Sequence, residues 1–452
     1  MKRSIVIIGG GCSGLLAALN LQRCRWNAPV EIVIVEPRSM VGRGLAYTAP
    51  SDRCTLNVPA NTMGAFPDDP EGFLRWAREG NMNFSPDEFV SRRIYGDYLH
   101  SLLDSALEKD SRTRILTYQD TAVDVVFNEH LKRFEVELSR HGWLKADVCI
   151  LALGNIPRAH ISGIPVAGTF SAPYDPRSYD GIEHLRRVLV LGTGLTAVDC
   201  ILECEGRGFR GGYTMLSRHA RLPQPHDLPQ ADLVTQVDPL FSSVDTLLAL
   251  SLTELVRRFR EEATRLGSSQ PILQVMRPHL QNLWAGMSLA SKRRFLRHLR
   301  AIWEIHRHRI PGVHAALLDS LRKVGRLRLV AGRLVSAQQQ NDSMELQYLQ
   351  HGVSLQDHFD RAFICAGSEG DLSKVDQPLV RNLLARGMVR VGELKLGISV
   401  GESVIPREYK DRWRVLGPLQ REELWEITAV REIRVEAARV ATQICSLLNH
   451  EL

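Results

Sequence analysis

The sequence predicts an α/β protein with two parallel β-sheets, each grown from its own strand, glycine turn, helix and strand. An α-helical insertion and a long C-terminal helix complete it. Two observations carry this prediction. Ser4-Ile5-Val6-Ile7-Ile8 runs into Gly9-Gly10-Gly11-Cys12-Ser13-Gly14, a helical stretch, and Val30-Glu31-Ile32-Val33-Ile34-Val35-Glu36. The same pattern returns at Arg187-Val188-Leu189-Val190-Leu191-Gly192-Thr193-Gly194-Leu195-Thr196-Ala197, with a second strand Gly212 to Ser217. Glycines at this spacing between a strand and a helix serve a tight turn, close approach to a pyrophosphate, and helix-on-strand packing, so both units read as Rossmann-like dinucleotide-binding domains. The expected division is 1–183 with 371–452 for the first unit, 184–221 with 326–370 for the second, and 222–325 for the insertion.

In the first unit Gly9, Gly11 and Gly14 take those three roles, and the helix N-terminus at Cys12 and Ser13 supplies amide donors and a positive dipole end. Glu36 ends the second strand 22 residues after Gly14, where a carboxylate accepts hydrogen bonds from ribose hydroxyls. The glycine- and proline-rich stretch 42–61 is too broken for a long element and is expected to lie over a cofactor. Within it Asn57 either presents its amide to a flavin or nicotinamide ring or forms an Asx turn. Arg92 and Arg93 either reach phosphates or form a solvated pair, ahead of an amphipathic helix near Ser101 to Leu107. Strands at Ala122 to Phe127 and Arg133 to Leu138 read as a meander. The all-apolar Val148 to Leu153, closed by Gly154, reads as the last parallel strand of the unit.

In the second unit Gly192, Gly194 and Ala197 occupy the fingerprint positions. No acid ends its second strand. Arg218 stands there instead, which favours a 2′-phosphate and therefore NADPH over NADH. From Leu222 to Lys323 the pattern turns helical, with Pro223, Pro225, Pro229 and Pro271 punctuating it and amphipathic helices expected at 247–266 and 289–305. The basic run Lys292 to Arg300 is a solvated face, a nucleic-acid or membrane surface, or a rim that attracts anions. His306 and His308 read as packing or surface residues, with no metal-ligand spacing. A strand from Arg326 to Leu334, a hairpin, and Arg361 to Ile364 closed by Gly367 repeat the ending of the first unit.

Trp413 to Leu419 gives a strand, Gly417 and a helix-like pattern to Leu448. Aimed at an isoalloxazine, such a helix end would stabilise negative charge on the reduced ring; the alternative is a helix that only packs. The chain of 452 residues is 44% hydrophobic, enough for several cores, and its net charge of +6 suits anionic small molecules but falls short of a nucleic-acid binder. Eight scattered cysteines without a Cys-x-x-Cys pair read as reduced, buried thiols of a cytoplasmic protein. No apolar run is long enough to span a bilayer.

These residues together resemble the two-dinucleotide-domain flavoproteins, and within them a bacterial FAD- and NAD(P)-binding family related to flavin-containing and N-hydroxylating monooxygenases. The resemblance rests on the Gly9 to Gly14 fingerprint, Gly-Leu-Ala-Tyr at 44–47, Leu-Asn-Val-Pro-Ala at 56–60 and Arg-Ile-Tyr-Gly-Asp-Tyr-Leu at 93–99. His-Arg-His at 306–308, Leu-Gly-Pro-Leu at 416–419 and Trp-Glu-Ile-Thr-Ala-Val at 425–430 complete it. It implies FAD on the first fingerprint and Glu36, with Gly417 to Leu419 beside the ring, and NADPH on Gly192 to Ala197, with Ser217 and Arg218 near the adenosine phosphate. It implies an oxidoreductase that uses oxygen through a flavin C4a-hydroperoxide to oxidise a small amine or sulfur substrate. Two alternatives stand beside it: an NAD(P)H-dependent reductase serving a quinone or protein acceptor, and a flavin-holding redox sensor that uses the insertion against a partner. The disulfide reductases share the layout but need a cysteine pair beside the flavin.

Overall fold

The six residues Arg3–Ile8, the last four an unbroken β-branched run, form a strand whose last four side chains are buried, because a parallel strand covered on both faces has no solvent side to keep polar. It pairs in parallel with Val30–Val35 on one side and Val148–Leu151 on the other. The computed structural model describes residues 2–108, 112–226, 231–340, 343–399 and 404–450. Within it the chain divides into two compact units: 1–52 with 59–157 and 368–452, and 53–58 with 158–367.

The first unit holds a five-stranded parallel sheet in the order Trp413–Val415, Val148–Leu151, Arg3–Ile8, Val30–Val35, Thr113–Tyr118. Val148–Leu151, expected as the buried last parallel strand, is parallel and has a neighbour on each side. One edge is Trp413–Val415, the short strand expected from sequence before Gly417, whose place in this sheet the sequence did not show. One face of this sheet packs the meander Ala122–Asn128, Arg133–Leu138 and Gly142–Ala146 through Val125, Phe134 and Val136, all fully buried. Helix Arg92–Leu107 begins nine residues earlier than expected, because the Ser91 hydroxyl accepts the Arg93 N–H and caps it. The C-terminal helix is Val430–His450.

The second unit holds a four-stranded parallel sheet in the order Leu327–Ala331, Gly212–Ser217, Arg187–Leu191, Arg361–Ile364. The single strand expected over 326–334 is split at Gly332: Arg333–Gln340 leaves the sheet and opens a meander with Ser343–Gln350 and Val353–Phe359. Residues 158–183, expected in the first unit, pack in the second. Tyr179 stacks on Phe363 with centroids 4.8 Å apart, and Ser171 bridges to Phe363. The two long helices expected in the insertion are each interrupted, giving Val244–Ala249 and Leu252–Leu266, then Leu289–His298 and Arg300–Arg307. Ser243, Ser251 and Ser288 start new helices by accepting first-turn amides, a signal that hydrophobic periodicity does not carry. Pro229 lies outside the described residues.

All eight cysteines are free thiols. Five are buried as expected, but Cys12, Cys24 and Cys445 are half-buried. Among the described residues no helix is long and apolar enough to cross a membrane, and no group of His, Cys, Asp and Glu is placed to hold a metal ion.

Candidate functional site: two glycine cradles

In the first unit Gly9 has φ +102° and gives its N–H to the Val35 carbonyl at 2.9 Å. A Cβ there would run into the Ala152 carbonyl, and one on Gly14 would run into the Gly9 carbonyl. Turn, neighbouring strand end and helix are thus in backbone contact, which only glycine permits. Helix Cys12–Arg23 starts at Gly11 without a side-chain cap and without an acid in its first turn. Its positive end and first amides remain for an anion.

Glu36 is 3% exposed and accepts the Gly10 N–H at 2.9 Å and the Arg38 N–H at 3.2 Å. Arg38 Nε also pairs with this carboxylate, at 3.0 Å from Oε1; of the about four acceptor positions of a carboxylate three are then engaged, which orients the group and leaves capacity for a hydroxyl donor. Gly154 (φ +68°) follows Ala152, and an added side chain would meet only open space. From the far end of the chain Leu416 gives its N–H to the Leu151 carbonyl at 2.9 Å, which brings Gly417 (φ +87°) against Ser13. Leu419 is buried behind it. Gly9, Gly11, Cys12, Ser13, Gly14, Glu36 and Gly417 are therefore gathered around one helix N-terminus, with Gly154 two residues beyond the Ala152 carbonyl that meets Gly9.

The loop after Glu36 closes this cradle. Gly42 gives its N–H to the Gly10 carbonyl at 2.7 Å, and a Cβ on Gly44 would lie 3.2 Å from the Gly11 Cα. Tyr47 meets Tyr95 edge to face at 4.8 Å. The Tyr95 hydroxyl is fully buried with no hydrogen-bond partner among the described residues, and burial, with the neighbouring Cys12 and Tyr47 adding to it, pushes it well above the usual tyrosine range. Burial also pushes the Cys12 thiol up to about 12, so it is neutral at physiological pH. Gly10, Gly44 and Tyr95 escaped the sequence reading of the site, although Tyr95 stands in the quoted 93–99 motif. Arg93 is engaged by Asp52 (Nε to Oδ1 2.9 Å) and so is held away from a phosphate role.

In the second unit Gly192 (φ +131°) packs against the Cys365 carbonyl as Gly9 does against Ala152. Helix Leu195–Gly206 again starts uncapped, at Gly194, and again lacks a first-turn acid. Around Gly194 an added Cβ meets nothing within 4 Å, and the same is true of Gly367. Ala197 is fully buried against the sheet. The Ser217 hydroxyl accepts from Thr193 Oγ1 at 3.1 Å and from the Ala220 N–H at 2.9 Å, tying the second strand's end to the glycine turn. Arg218 follows, exposed and without an ion-pair partner among the described residues. Burial, together with the positive charges of Arg221 and Arg218, lowers the neighbouring His219 below its usual range. Asn57 lies in the second unit, where its carbonyl accepts from His226 Nε2 at 2.9 Å.

Two uncapped helix ends, each on a parallel sheet behind a glycine turn, define the class: an α/β fold with two dinucleotide-type cradles. Comparison agrees. Residues 6–156 match the model of a family described as FAD-NAD(P)-binding. No curated protein sequence matches significantly.

Solved structures share the fold over the whole length. The ornithine N-hydroxylase of Kutzneria sp. 744, solved with reduced FAD, NADP+ and L-ornithine, superposes with a TM-score of 0.62 at 13% identity, covering 100% of both chains. The cadaverine monooxygenase of the desferrioxamine pathway from Erwinia amylovora, bound to FAD, gives 0.64 at 13% identity over 98% of this chain and 94% of that one. The bacillithiol disulfide reductase of Staphylococcus aureus gives 0.55 at 13% identity over 99% of each.

Proposed function

We propose that the protein is an FAD-dependent, NADPH-using monooxygenase that hydroxylates the nitrogen of a small amine. The observation that carries this reading is the end-to-end likeness to amine hydroxylases, one of them solved with FAD, NADP+ and an amine together. The residues present fit both cofactors. The cradle of Gly9, Gly11, Cys12, Ser13 and Gly14 would take the FAD pyrophosphate on backbone amides. Glu36, already oriented by the Gly10 N–H, would accept from the ribose, while Gly154 and the Gly417 to Leu419 turn would border the ring. Gly192, Gly194, Ala197 and Gly367 would take the NADPH pyrophosphate, with Ser217 and Arg218 at the 2′-phosphate. The Asn57 amide is proposed as a contact to a cofactor ring.

Bound FAD would supply hydride acceptance from NADPH and activation of oxygen. The chain's own contribution is to bind and to orient. Amides at fixed helix ends need no reorganisation when charge develops, and Arg218 selects the phosphorylated coenzyme by a charge-assisted bond. Burial keeps the thiol of Cys12 and the phenol of Tyr95 uncharged, so the wall behind the first cradle carries no competing anion.

The likeness to a disulfide reductase motivates a second reading, in which electrons pass to a disulfide. A thiol held neutral by burial is a poor nucleophile, and Cys12 is such a thiol. The deciding experiment measures NADPH oxidation by the purified protein with FAD, testing ornithine, lysine, cadaverine and aspartate in air. Hydroxylamine formed in proportion to NADPH consumed supports the proposal. NADPH oxidation that needs a disulfide and yields no hydroxylamine supports the rival.

A further inference from the structure

The net charge of the protein is concentrated in one place. Residues 289–309 hold seven lysines and arginines and one acid, Glu304, a net +6 equal to that of the whole chain. Neither Leu289–His298 nor Arg300–Arg307 has a single fully buried residue, although both carry leucine, isoleucine or tryptophan. Between Leu289–His298 and Leu252–Leu266 runs a groove of about 490 Å³ whose apolar lining comes from Leu252, Val256 and Leu299.

The cations on its rim differ from their neighbours. On Leu252–Leu266, Arg257 and Arg258 are paired with Glu254, Arg257 also with Glu261, and Arg265 with Glu262. Arg260, which faces the groove, has no ion-pair partner among the described residues, and neither do Arg294 and His298 opposite it. An apolar trough with unpaired positive charge on both banks calls for one kind of occupant.

We propose that this groove binds a single-chain anionic amphiphile, a fatty carboxylate whose alkyl chain covers Val256 and Leu299 and whose head group pairs with Arg260 and Arg294. Size and shape exclude the other occupants. A ten-residue helix, roughly 10 Å across and 15 Å long, has more than twice the groove's volume and would rest across its rim, whereas a single alkyl chain enters it. Among the described residues no Phe, Tyr or Trp lines the groove, which removes the stacking platform of single-stranded nucleic acid. A second copy of the chain would bring +6 against +6. A bilayer surface is flat, and a trough banked by charged side chains keeps it from the apolar lining.

The inference is independent of the proposed hydroxylation. Its test is titration calorimetry of the full-length protein with dodecanoate below its micellar concentration. Acetate, dodecyltrimethylammonium, phosphatidylglycerol vesicles and a single-stranded oligonucleotide serve as comparison probes. The expected result is one dodecanoate per chain, no heat from acetate or the cationic amphiphile, and at least tenfold weaker binding by Arg260→Gln/Arg294→Gln. Both replaced side chains are exposed, so the variant should fold, and its circular dichroism checks that it does. Equal binding of the cationic amphiphile, unchanged affinity in the double variant, or binding to vesicles or oligonucleotide alone would overturn the proposal.

Discussion

The two cradles share a plan and differ in how tightly they are walled. In the first, hypothetical side chains on Gly9, Gly10, Gly14, Gly42 and Gly417 all collide with neighbouring atoms and the 42–47 loop lies against Gly11, although Gly154, like its counterpart Gly367, faces open space. In the second, Gly192 is tight but Gly194 and Gly367 face open space. The first strand pair ends in a buried acid held by a backbone amide. The second ends in an exposed arginine with no ion-pair partner among the described residues. A walled site suits a cofactor that stays, and an open one suits a coenzyme that arrives, reacts and leaves. On the proposed reading the same glycine spacing would serve residence in one unit and exchange in the other, with what surrounds the spacing deciding which.

The comparison breaks most sharply at Gly14. Gly14→Val drives a side chain into the Gly9 carbonyl, so the purified variant should retain essentially no flavin, measured as the ratio of flavin to protein absorbance. Gly194→Ala, at the open cradle's counterpart of Gly11 where an added Cβ meets nothing within 4 Å, should leave flavin content unchanged.

Next in size is Arg218→Ala. Losing one charge-assisted hydrogen bond of about 1.5–3 kcal/mol should lower kcat/KM for NADPH by roughly tenfold to a hundredfold, while that for NADH holds steady. An equal fall with both coenzymes would place Arg218 elsewhere. Gly417→Ala forces a non-glycine residue to φ +87° against Ser13, a strain of about 1–3 kcal/mol. It should lower the melting temperature and raise the flavin dissociation constant together.

Cys12→Ser sharpens the choice between hydroxylase and disulfide reductase. With the thiol neutral, NADPH-dependent turnover should change by less than about twofold; loss of activity would favour the reductase.

The smallest effect lies away from both cradles, in the turn before the first unit's meander. Burial works to raise the Asp120 carboxyl. The donors around it outweigh burial: Ser139 Oγ at 2.5 Å, His141 Nδ1 at 2.6 Å, and the amides of Thr121, Arg140 and His141. They hold its pKa well below the usual carboxylate range. A carboxyl whose pKa is depressed on folding stabilises above its unfolded value of about 3.9, and that stability is lost as pH falls through the folded value. The difference in melting temperature between the native protein and Asp120→Asn should therefore be full at pH 7 and shrink progressively below about pH 4.

Where a signal is local, the sequence was readable. Within each unit the fingerprint, the strands it joins and the residue ending the second strand, Glu36 or Arg218, lie within a few dozen residues of one another, and strand period, glycine and helix face are printed side by side. The failures share one cause. The edge position of Trp413–Val415, the placing of 158–183, and the passage of Asn57 into the second unit each depend on partners more than 100 residues away in sequence. Tyr95 was visible as a letter in a motif, but its solitary buried hydroxyl is a property of what packs around it.

By itself, then, the sequence determined that this protein has two strand–glycine–helix units and which residues stand at their turns, because φ/ψ freedom and hydrophobic period are encoded within a few residues. Only the tertiary structure decided which strand borders the first sheet, how closely each cradle is walled, and which rim cations lack an acid. Those depend on backbone and charge brought together from distant parts of the chain, and no local pattern of residues records that meeting.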